Sequence, residues 1–225
     1  LADGTLYYYY HVVGDYAAVG HPAASAAAGA VQVYRYGAGA WSQTNVLAPE
    51  GGVTGDRFGS SVGLDGYRVL GGSPGDDEQG PDAGAAHVFV RTGQDTWAHS
   101  QKLLASDSSP SDGFGRTMDA SGAYVVVGAA LDPATSHGKA FLFRRDFGSY
   151  RELLQYDSSP ATGGDGFAAD VASYYGTALV GVCPGRCRRE VWTPGDCRSH
   201  RAERVHGPGR LGFAHRLLRS YPGRG

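Results

Sequence analysis

Short apolar runs recur along the chain, and each of them ends in a glycine. Three such runs are Val69-Leu70-Gly71, Val125-Val126-Val127-Gly128 and Leu179-Val180-Gly181. Each closing glycine follows a phenylalanine by 13 or 14 residues, and these phenylalanines (Phe58, Phe114 and Phe167) are 56 and 53 residues apart. A fixed period of this size is typical of repeat proteins, in which each repeat is one small supersecondary unit. The pattern therefore predicts an array of similar units.

Each unit is predicted to contain four short strands separated by turn signals. In the unit that begins near Phe58, the predicted strands are 60–64, 67–71, 85–91 and 97–105. Between the first two strands, Asp65-Gly66 supplies the positive φ angles of a tight hairpin turn. Four antiparallel strands in about 50 residues are typical of a propeller blade. We therefore predict an all-β fold, a partial β-propeller of three to four four-stranded blades, with aromatic residues filling the space between blades.

Composition agrees with this fold and divides the chain in two. Glycine contributes 36 of the 225 residues, which indicates many tight turns. Residues 1–182 contain 19 acidic and 10 basic residues, whereas residues 183–225 contain three acidic and ten basic ones. No apolar run approaches the length of a membrane span. We assign residues 1–182 to the blades, with the N-terminus inside a blade because Tyr7 precedes Gly20 by the same 13 residues.

Residues 183–225 are predicted to be an irregular tail rich in arginine and cysteine. All three cysteines of the chain, Cys183, Cys187 and Cys197, lie in it, and it begins where the repeat should continue. A shifted reading frame or a mispredicted exon is the favoured explanation. One alternative is a basic arm for anionic partners, although a nucleic acid is not expected because aromatic residues are not interleaved with the arginines. Another is a zinc site formed by the cysteines with His200, whose spacings suit the metal.

With these motifs the chain resembles the FG-GAP repeat family. Phe58-Gly59 and Phe114-Gly115 match the Phe-Gly pair of that family, and residues 72–74 (GSP) match its Gly-Ala-Pro element. Residues 29–34 (GAVQVY) match the strand that follows it. The resemblance covers roughly residues 5–182. It implies a β-propeller, usually seven-bladed, that lies outside the cell and serves recognition, as in the heads of integrin α-subunits.

The chain departs from integrin-type repeats at their calcium loop. That loop clusters carboxylates because Ca²⁺ takes about six to eight oxygen ligands. The corresponding interval here, residues 63–67 (GLDGY), contains one carboxylate. The resemblance is therefore to short-hairpin members of the family, and neither a metal site nor a cofactor is predicted.

Three groups of side chains are candidates for a binding surface. The acidic loop 75–82 (GDDEQGPD) could bind a cation or a basic partner, although a solvated loop is the favoured interpretation. The connectors 107–112 and 157–160 are expected to cap turns through Asp and Ser side chains, and they could also contact a ligand on one rim. His87, on an alternating strand, is predicted to face outward rather than to act in catalysis.

The predicted function is non-catalytic recognition or adhesion at the cell exterior or cell surface, with rim loops binding a protein or glycan. No catalytic residue is predicted, because the chain has no Gly-x-Ser-x-Gly elbow, His-Glu-x-x-His motif or phosphate loop. One alternative is a fragment of a propeller-containing hydrolase or lyase with its active site in the central funnel. Another is a scaffold that binds nothing specific. Two or more carboxylates with a His or Arg in the funnel would favour the enzyme.

Overall fold

The computed structural model describes residues 10–129, 138–157, 167–174, 177–182 and 201–206. Its strands form four antiparallel sheets, in which neighbouring strands are also consecutive in sequence. Blade 1 contains β1 (Tyr10–Val13), β2 (Tyr16–His21), β3 (Ala30–Gly37) and β4 (Ala40–Leu47). Blade 2 contains β5 (Val62–Leu64), β6 (Arg68–Ser73), β7 (Ala85–Gly93) and β8 (Thr96–Leu103). Blade 3 contains β9 (Thr117–Ser121), β10 (Tyr124–Ala129), β11 (Lys139–Asp146) and β12 (Ser149–Asp157). The described part of blade 4 contains β13 (Val171–Tyr174), β14 (Thr177–Val182) and β15 (Arg201–His206).

The four-stranded sheets confirm the predicted fold, a partial β-propeller. In blade 2 every strand begins and ends within two residues of its predicted limits. The turn between β5 and β6 lies at Asp65-Gly66, where Gly66 has a φ of +84°. The apolar pattern did not predict the single helical turn α1 (Ala24–Ala27) between β2 and β3.

The first strand of each sheet lies at the centre of the array. Strand β1 contacts β5, β5 contacts β9, and β9 contacts β13. The short first strands therefore line the inside of the partial propeller, and the fourth strands lie at the outer edges of the blades.

A hydrophobic cluster fills each of the three spaces between blades. Phe58 belongs to the cluster between blades 1 and 2, Phe114 to that between blades 2 and 3, and Phe167 to that between blades 3 and 4. All three side chains are buried, as the sequence predicts for aromatic residues between diverging sheets. The prediction fails for Trp41, which is 45% exposed near the tip of the β3–β4 hairpin.

Neighbouring blades also approach each other backbone to backbone. Gly72, near the end of β6, lies so close to the next blade that a β-carbon there would be 1.8 Å from the carbonyl oxygen of Gly115. The hydroxyl of Ser61 donates a hydrogen bond of 2.7 Å to the same oxygen. One blade further on, Thr117 Oγ1 donates to the oxygen of Ala168 at 2.9 Å. The same contact thus joins successive blades.

Strand β15 lies within the segment that was predicted to be irregular. It pairs with β14 along its whole length, from Val182 opposite Arg201 to Thr177 opposite His206. The rest of residues 183–225, with all three cysteines and His200, lies outside the described residues, as does Tyr7. The domain boundary at residue 182, the frameshift and the zinc alternative stay predictions.

Candidate recognition surface

The alternating direction of consecutive antiparallel strands gives each blade two ends with different loops. The turns between first and second strands and between third and fourth strands share one end, here termed the hairpin rim (residues 14–15, 38–39, 65–67, 94–95, 122–123 and 147–148). The loops between second and third strands and the connectors between blades share the opposite end, the connector rim (22–29, 48–61, 74–84 and 104–116). Side chains on one rim are therefore separated from those on the other by the length of the strands.

The inner strands carry a short row of polar side chains. The backbone N–H of Leu64 donates to Nδ1 of His11 at 3.2 Å, and that nitrogen lies 3.9 Å from Oδ1 of Asp119. Oδ2 of Asp119 accepts hydrogen bonds from the backbone N–H and the hydroxyl of Ser173, at 2.6 and 3.2 Å. Within the described inner strands this row offers a single carboxylate, whereas acid–base chemistry on a glycan pairs two. The row therefore does not favour the enzymatic alternative.

The acidic loop of the connector rim is held by a lysine. Lys102 Nζ donates to Oδ1 of Asp76 at 2.9 Å and to Oε2 of Glu78 at 2.6 Å. Burial alone would lower the pKa of Lys102, but its hydrogen bonds to both carboxylates raise that pKa above its usual value. The interpretation as a solvated loop is wrong for Asp76, which is buried, although Asp77 and Glu78 are exposed. Since Lys102 occupies two of its carboxylates, the loop is a structural contact rather than an open cation site.

The connectors use their acidic side chains in turns and ion pairs. Oδ2 of Asp112 accepts from the backbone N–H of Ser109 at 2.9 Å, and Asp56 makes the equivalent bond to Val53 at 2.8 Å in the preceding repeat. These bonds confirm the predicted capping role for Asp112. Asp107 instead pairs with Lys139 at 3.0 Å. Residues 158–160 of the later connector lie outside the described residues.

His87 is buried, and the prediction that it faces outward is wrong. Its ring packs edge-on against Phe58, with centroids 5.5 Å apart, and its Nδ1 lies 3.2 Å from Nε2 of His99. Residues 85–89 of β7 are all buried because neighbouring blades cover both faces of the sheet. Burial, assisted by the charges of His99 and Lys102, lowers the pKa of His87 to about 4.

We expect the protonation of His87 to make the fold less stable at acidic pH. The unfolded ring binds a proton below its ordinary pKa of 6.5, whereas the folded ring does so only below about 4. Above the unfolded pKa the ring is neutral in both states and this difference has no effect. As the pH falls from 7 to 5, the unfolded state is favoured by proton binding, and the free energy of unfolding decreases by about 2 kcal/mol. Denaturant unfolding at pH 7 and pH 5 measures this decrease. We expect the decrease in His87→Gln to be smaller than that in the wild type by about the same amount. An equal drop in both proteins would contradict this assignment.

Aromatic side chains gather at the hairpin rim, where they are exposed to solvent. Tyr36 and Trp41 are cross-strand partners at the tip of the β3–β4 hairpin, with ring centroids 5.4 Å apart. Tyr67 lies in the β5–β6 turn, and Phe147 lies at the tip of the β11–β12 hairpin with its whole side chain exposed. Exposed aromatic residues are thus found at this rim on all three four-stranded blades.

An arginine and two tyrosines join blades 1 and 2 at the hairpin rim. The guanidinium carbon of Arg91 lies 4.9 Å from the ring centroids of both Tyr16 and Tyr67. The ring of Tyr16 is held edge-on by Trp97, with centroids 5.9 Å apart, and its hydroxyl donates to the backbone oxygen of Gln94. A shallow depression of about 360 Å³ opens beside these groups. Sequence reasoning missed this cluster, and the excess of tyrosine (14, against eight phenylalanines) was the one signal that pointed toward it.

At the next blade interface, an arginine of the same rim is used within the fold. Arg68 donates to the hydroxyl of Tyr150 at 2.8 Å and to the oxygen of Gly122 at 2.6 Å, and it pairs with Asp65. These contacts hold the turns of blades 2 and 3 together. Asp65, the carboxylate of the short hairpin, is thereby committed to a structural ion pair.

Comparison with models of protein families matches two segments of the chain, residues 41–89 and 97–143, to the FG-GAP repeat. These two segments are FG-GAP repeats. Each matched FG-GAP segment runs from the fourth strand of one blade into the third strand of the next, so the sequence repeat is staggered relative to the blade. Phe58 and Phe114, which fill the spaces between blades, lie within the two matched segments.

Other comparisons add little to the FG-GAP assignment. No curated protein matches the chain. Among solved structures, the chain is similar to the periplasmic gluconolactonase PpgL of Pseudomonas aeruginosa, with 15% identity and a TM-score of 0.35, over 93% of this chain and 73% of that one. Because the TM-score is low, the fold assignment rests on the observed sheets and the FG-GAP repeats.

Among the described residues, no helix is long and apolar enough to cross a membrane. In the same residues, no group of three or more His, Cys, Asp and Glu side chains is arranged to hold a metal ion.

Proposed function

We propose that this FG-GAP propeller segment is a non-catalytic recognition module that binds a protein or glycan through its hairpin rim. The observation that carries the proposal is the set of exposed aromatic side chains on that rim, next to arginines. Tyrosine, tryptophan and arginine contribute most of the binding energy at many protein interfaces. Their rings present a large contact area for few rotatable bonds.

The hairpin rim is also held in shape before any partner arrives. Arg35 of blade 1 pairs with Asp95 of blade 2 at 3.2 Å, and the hydroxyl of Tyr16 reaches the β7–β8 turn. A surface that is already ordered loses little conformational entropy on binding. Location at the cell exterior is part of the proposal, supported by the usual setting of FG-GAP proteins.

The test is a screen of the purified chain against arrays of secreted proteins and glycans, repeated with two rim variants. Tyr36→Ser/Trp41→Ser removes the aromatic pair of the hairpin rim. Val53→Ser is the matched control, since Val53 is 56% exposed but lies on the connector rim. All these side chains are exposed, so melting temperatures should stay the same.

For a ligand found in the screen, we expect the double variant to weaken binding by about tenfold or more. Val53→Ser should change the affinity by less than about twofold. Equal effects of the two variants, or no effect of the double variant, would contradict binding at the hairpin rim. Chemical conversion of a bound ligand would contradict a non-catalytic role.

A further inference from the structure

We propose that Arg91, with Tyr16 and Tyr67, forms an anchor subsite for a carboxylate side chain of an acidic protein partner. The proposal rests on the recognition function above and specifies the chemistry of the partner. The first observation behind it concerns the contacts that the Arg91 guanidinium makes. Among the described residues, this group contacts two tyrosine rings but no carboxylate.

Four other arginines near the hairpin rim are held in ion pairs. Arg35 pairs with Asp95, Arg68 pairs with Asp65, and both Arg144 and Arg151 pair with Asp146. The backbone N–H of Arg91 bonds to the oxygen of Tyr67, but no described residue accepts a hydrogen bond from its guanidinium. The N–H groups of Arg91 therefore remain for a ligand.

The two tyrosines prepare Arg91 for this role. Contact with both rings restrains the long side chain, which lowers the entropy lost when a ligand binds. Aromatic rings leave the guanidinium's donors without strong acceptors. A planar guanidinium donates two parallel hydrogen bonds to one carboxylate, which lysine does not do. The geometry thus favours a single carboxylate over a neutral group.

The charge around the site favours a protein over a polyanionic glycan. Asp65 and Asp95 neutralise the neighbouring arginines, and Asp15 in the β1–β2 turn adds another carboxylate to the rim. The rim therefore lacks the run of free basic groups that attracts a highly charged polymer. An acidic side chain flanked by apolar residues fits better, since Tyr67 is 66% exposed beside Arg91 and offers the apolar contact.

The depression beside Arg91 provides room for such a side chain. It has a volume of about 360 Å³ and is lined by Tyr16, Tyr67, Arg91, Thr92, Gly93 and Gln94. It is shallow, so the carboxylate would enter from a partner surface rather than from a small molecule enclosed by the protein.

The experiment measures fluorescence anisotropy of a labelled ten-residue peptide, here termed the glutamate peptide, in which one central glutamate is flanked by leucines and serines, with the full chain. The glutamine peptide, which has glutamine in place of that single glutamate, is the uncharged control, and an oligogalacturonate of ten units is the glycan arm. Arg91→Gln removes the guanidinium, and Arg91→Lys keeps the charge without the planar fork. Arg151→Gln is the matched control, because Arg151 lies on the same rim and its loss changes the net charge equally.

We expect the glutamate peptide to bind and the glutamine peptide not to bind. Arg91→Gln and Arg91→Lys should each weaken binding by about tenfold or more. The first variant removes the charged hydrogen-bond donor, and the second keeps the charge but cannot donate two parallel hydrogen bonds to one carboxylate. Arg151→Gln should change binding by less than about twofold. Melting temperatures report folding, and Arg91→Lys carries the test if Arg91→Gln does not fold.

Three results would overturn the subsite: no binding of the glutamate peptide, equal weakening by Arg91→Gln and Arg151→Gln, or Arg91-dependent binding of the oligogalacturonate alone. Failure of the subsite is distinguishable from failure of the recognition function. A ligand from the array screen that is lost in Tyr36→Ser/Trp41→Ser but retained in Arg91→Gln would support recognition at the hairpin rim and refute the carboxylate anchor.

Discussion

Gly72→Ala is expected to lower the free energy of unfolding by about 3 kcal/mol or more, because the added methyl group would overlap the neighbouring blade. The new β-carbon would lie 1.8 Å from the oxygen of Gly115 and 2.5 Å from Oγ of Ser61. The first of these atoms is backbone and cannot rotate away. Gly72 cannot move easily either, because its N–H donates to the oxygen of Ser61 and its oxygen accepts from Gly59. Blades 2 and 3 would have to separate.

Gly37→Ala is the matched control for this effect. Gly37 ends β3, and nothing lies within 4 Å of the position that its β-carbon would take. We expect a change of less than about 0.5 kcal/mol. Urea unfolding of both variants measures the difference. A destabilisation by Gly72→Ala that is as small as the control's would show that the blades do not pack as described.

Phe114→Ala is expected to cost about 3–5 kcal/mol of stability, because it removes a large side chain from the centre of a closed cluster. Phe114 is completely buried between blades 2 and 3. Its ring packs edge-on against Phe141 and Phe143, with centroids 5.3 and 5.9 Å away. The cavity would lie between two sheets. Within each sheet the strands are hydrogen-bonded to their neighbours, so neither sheet can collapse fully into the cavity.

Phe147→Ala makes the same chemical change at an exposed site. Phe147 lies at the tip of the β11–β12 hairpin, with its side chain fully in solvent. Its removal should change the free energy of unfolding by less than about 0.5 kcal/mol. Thermal and denaturant unfolding would compare the two variants, and similar losses would refute the central position of Phe114.

The two rims differ in how their charged and aromatic side chains are used. On the connector rim, charged groups mostly satisfy one another, as Lys102 does with Asp76. The hairpin rim exposes aromatic rings and the guanidinium of Arg91, which pairs with no carboxylate among the described residues. Surface charge alone would have directed attention to the acidic loop, but a charge that is already neutralised within the fold contributes little to binding a partner.

The blades were predictable from the sequence because their contacts are local. Turn glycines such as Gly66 and the short apolar runs determine which strands pair, and paired strands are neighbours in the chain. The Phe-Gly motif was also readable, since Phe58 and Phe114 recur at equivalent positions and fill equivalent spaces. The all-β class, the four-stranded units and the strand limits of blade 2 follow from these local signals.

The surroundings of individual side chains depended on how the blades stack. Alternation along β7 indicated an exposed His87, but a neighbouring blade covers each face of the sheet, so both sets of side chains are buried. The Arg91 cluster combines residues from β2, a turn and β7, which belong to two different blades. Sequence patterns report hydrogen-bonding partners within a sheet, whereas contacts between sheets depend on their relative stagger, and that stagger is determined only when the blades pack.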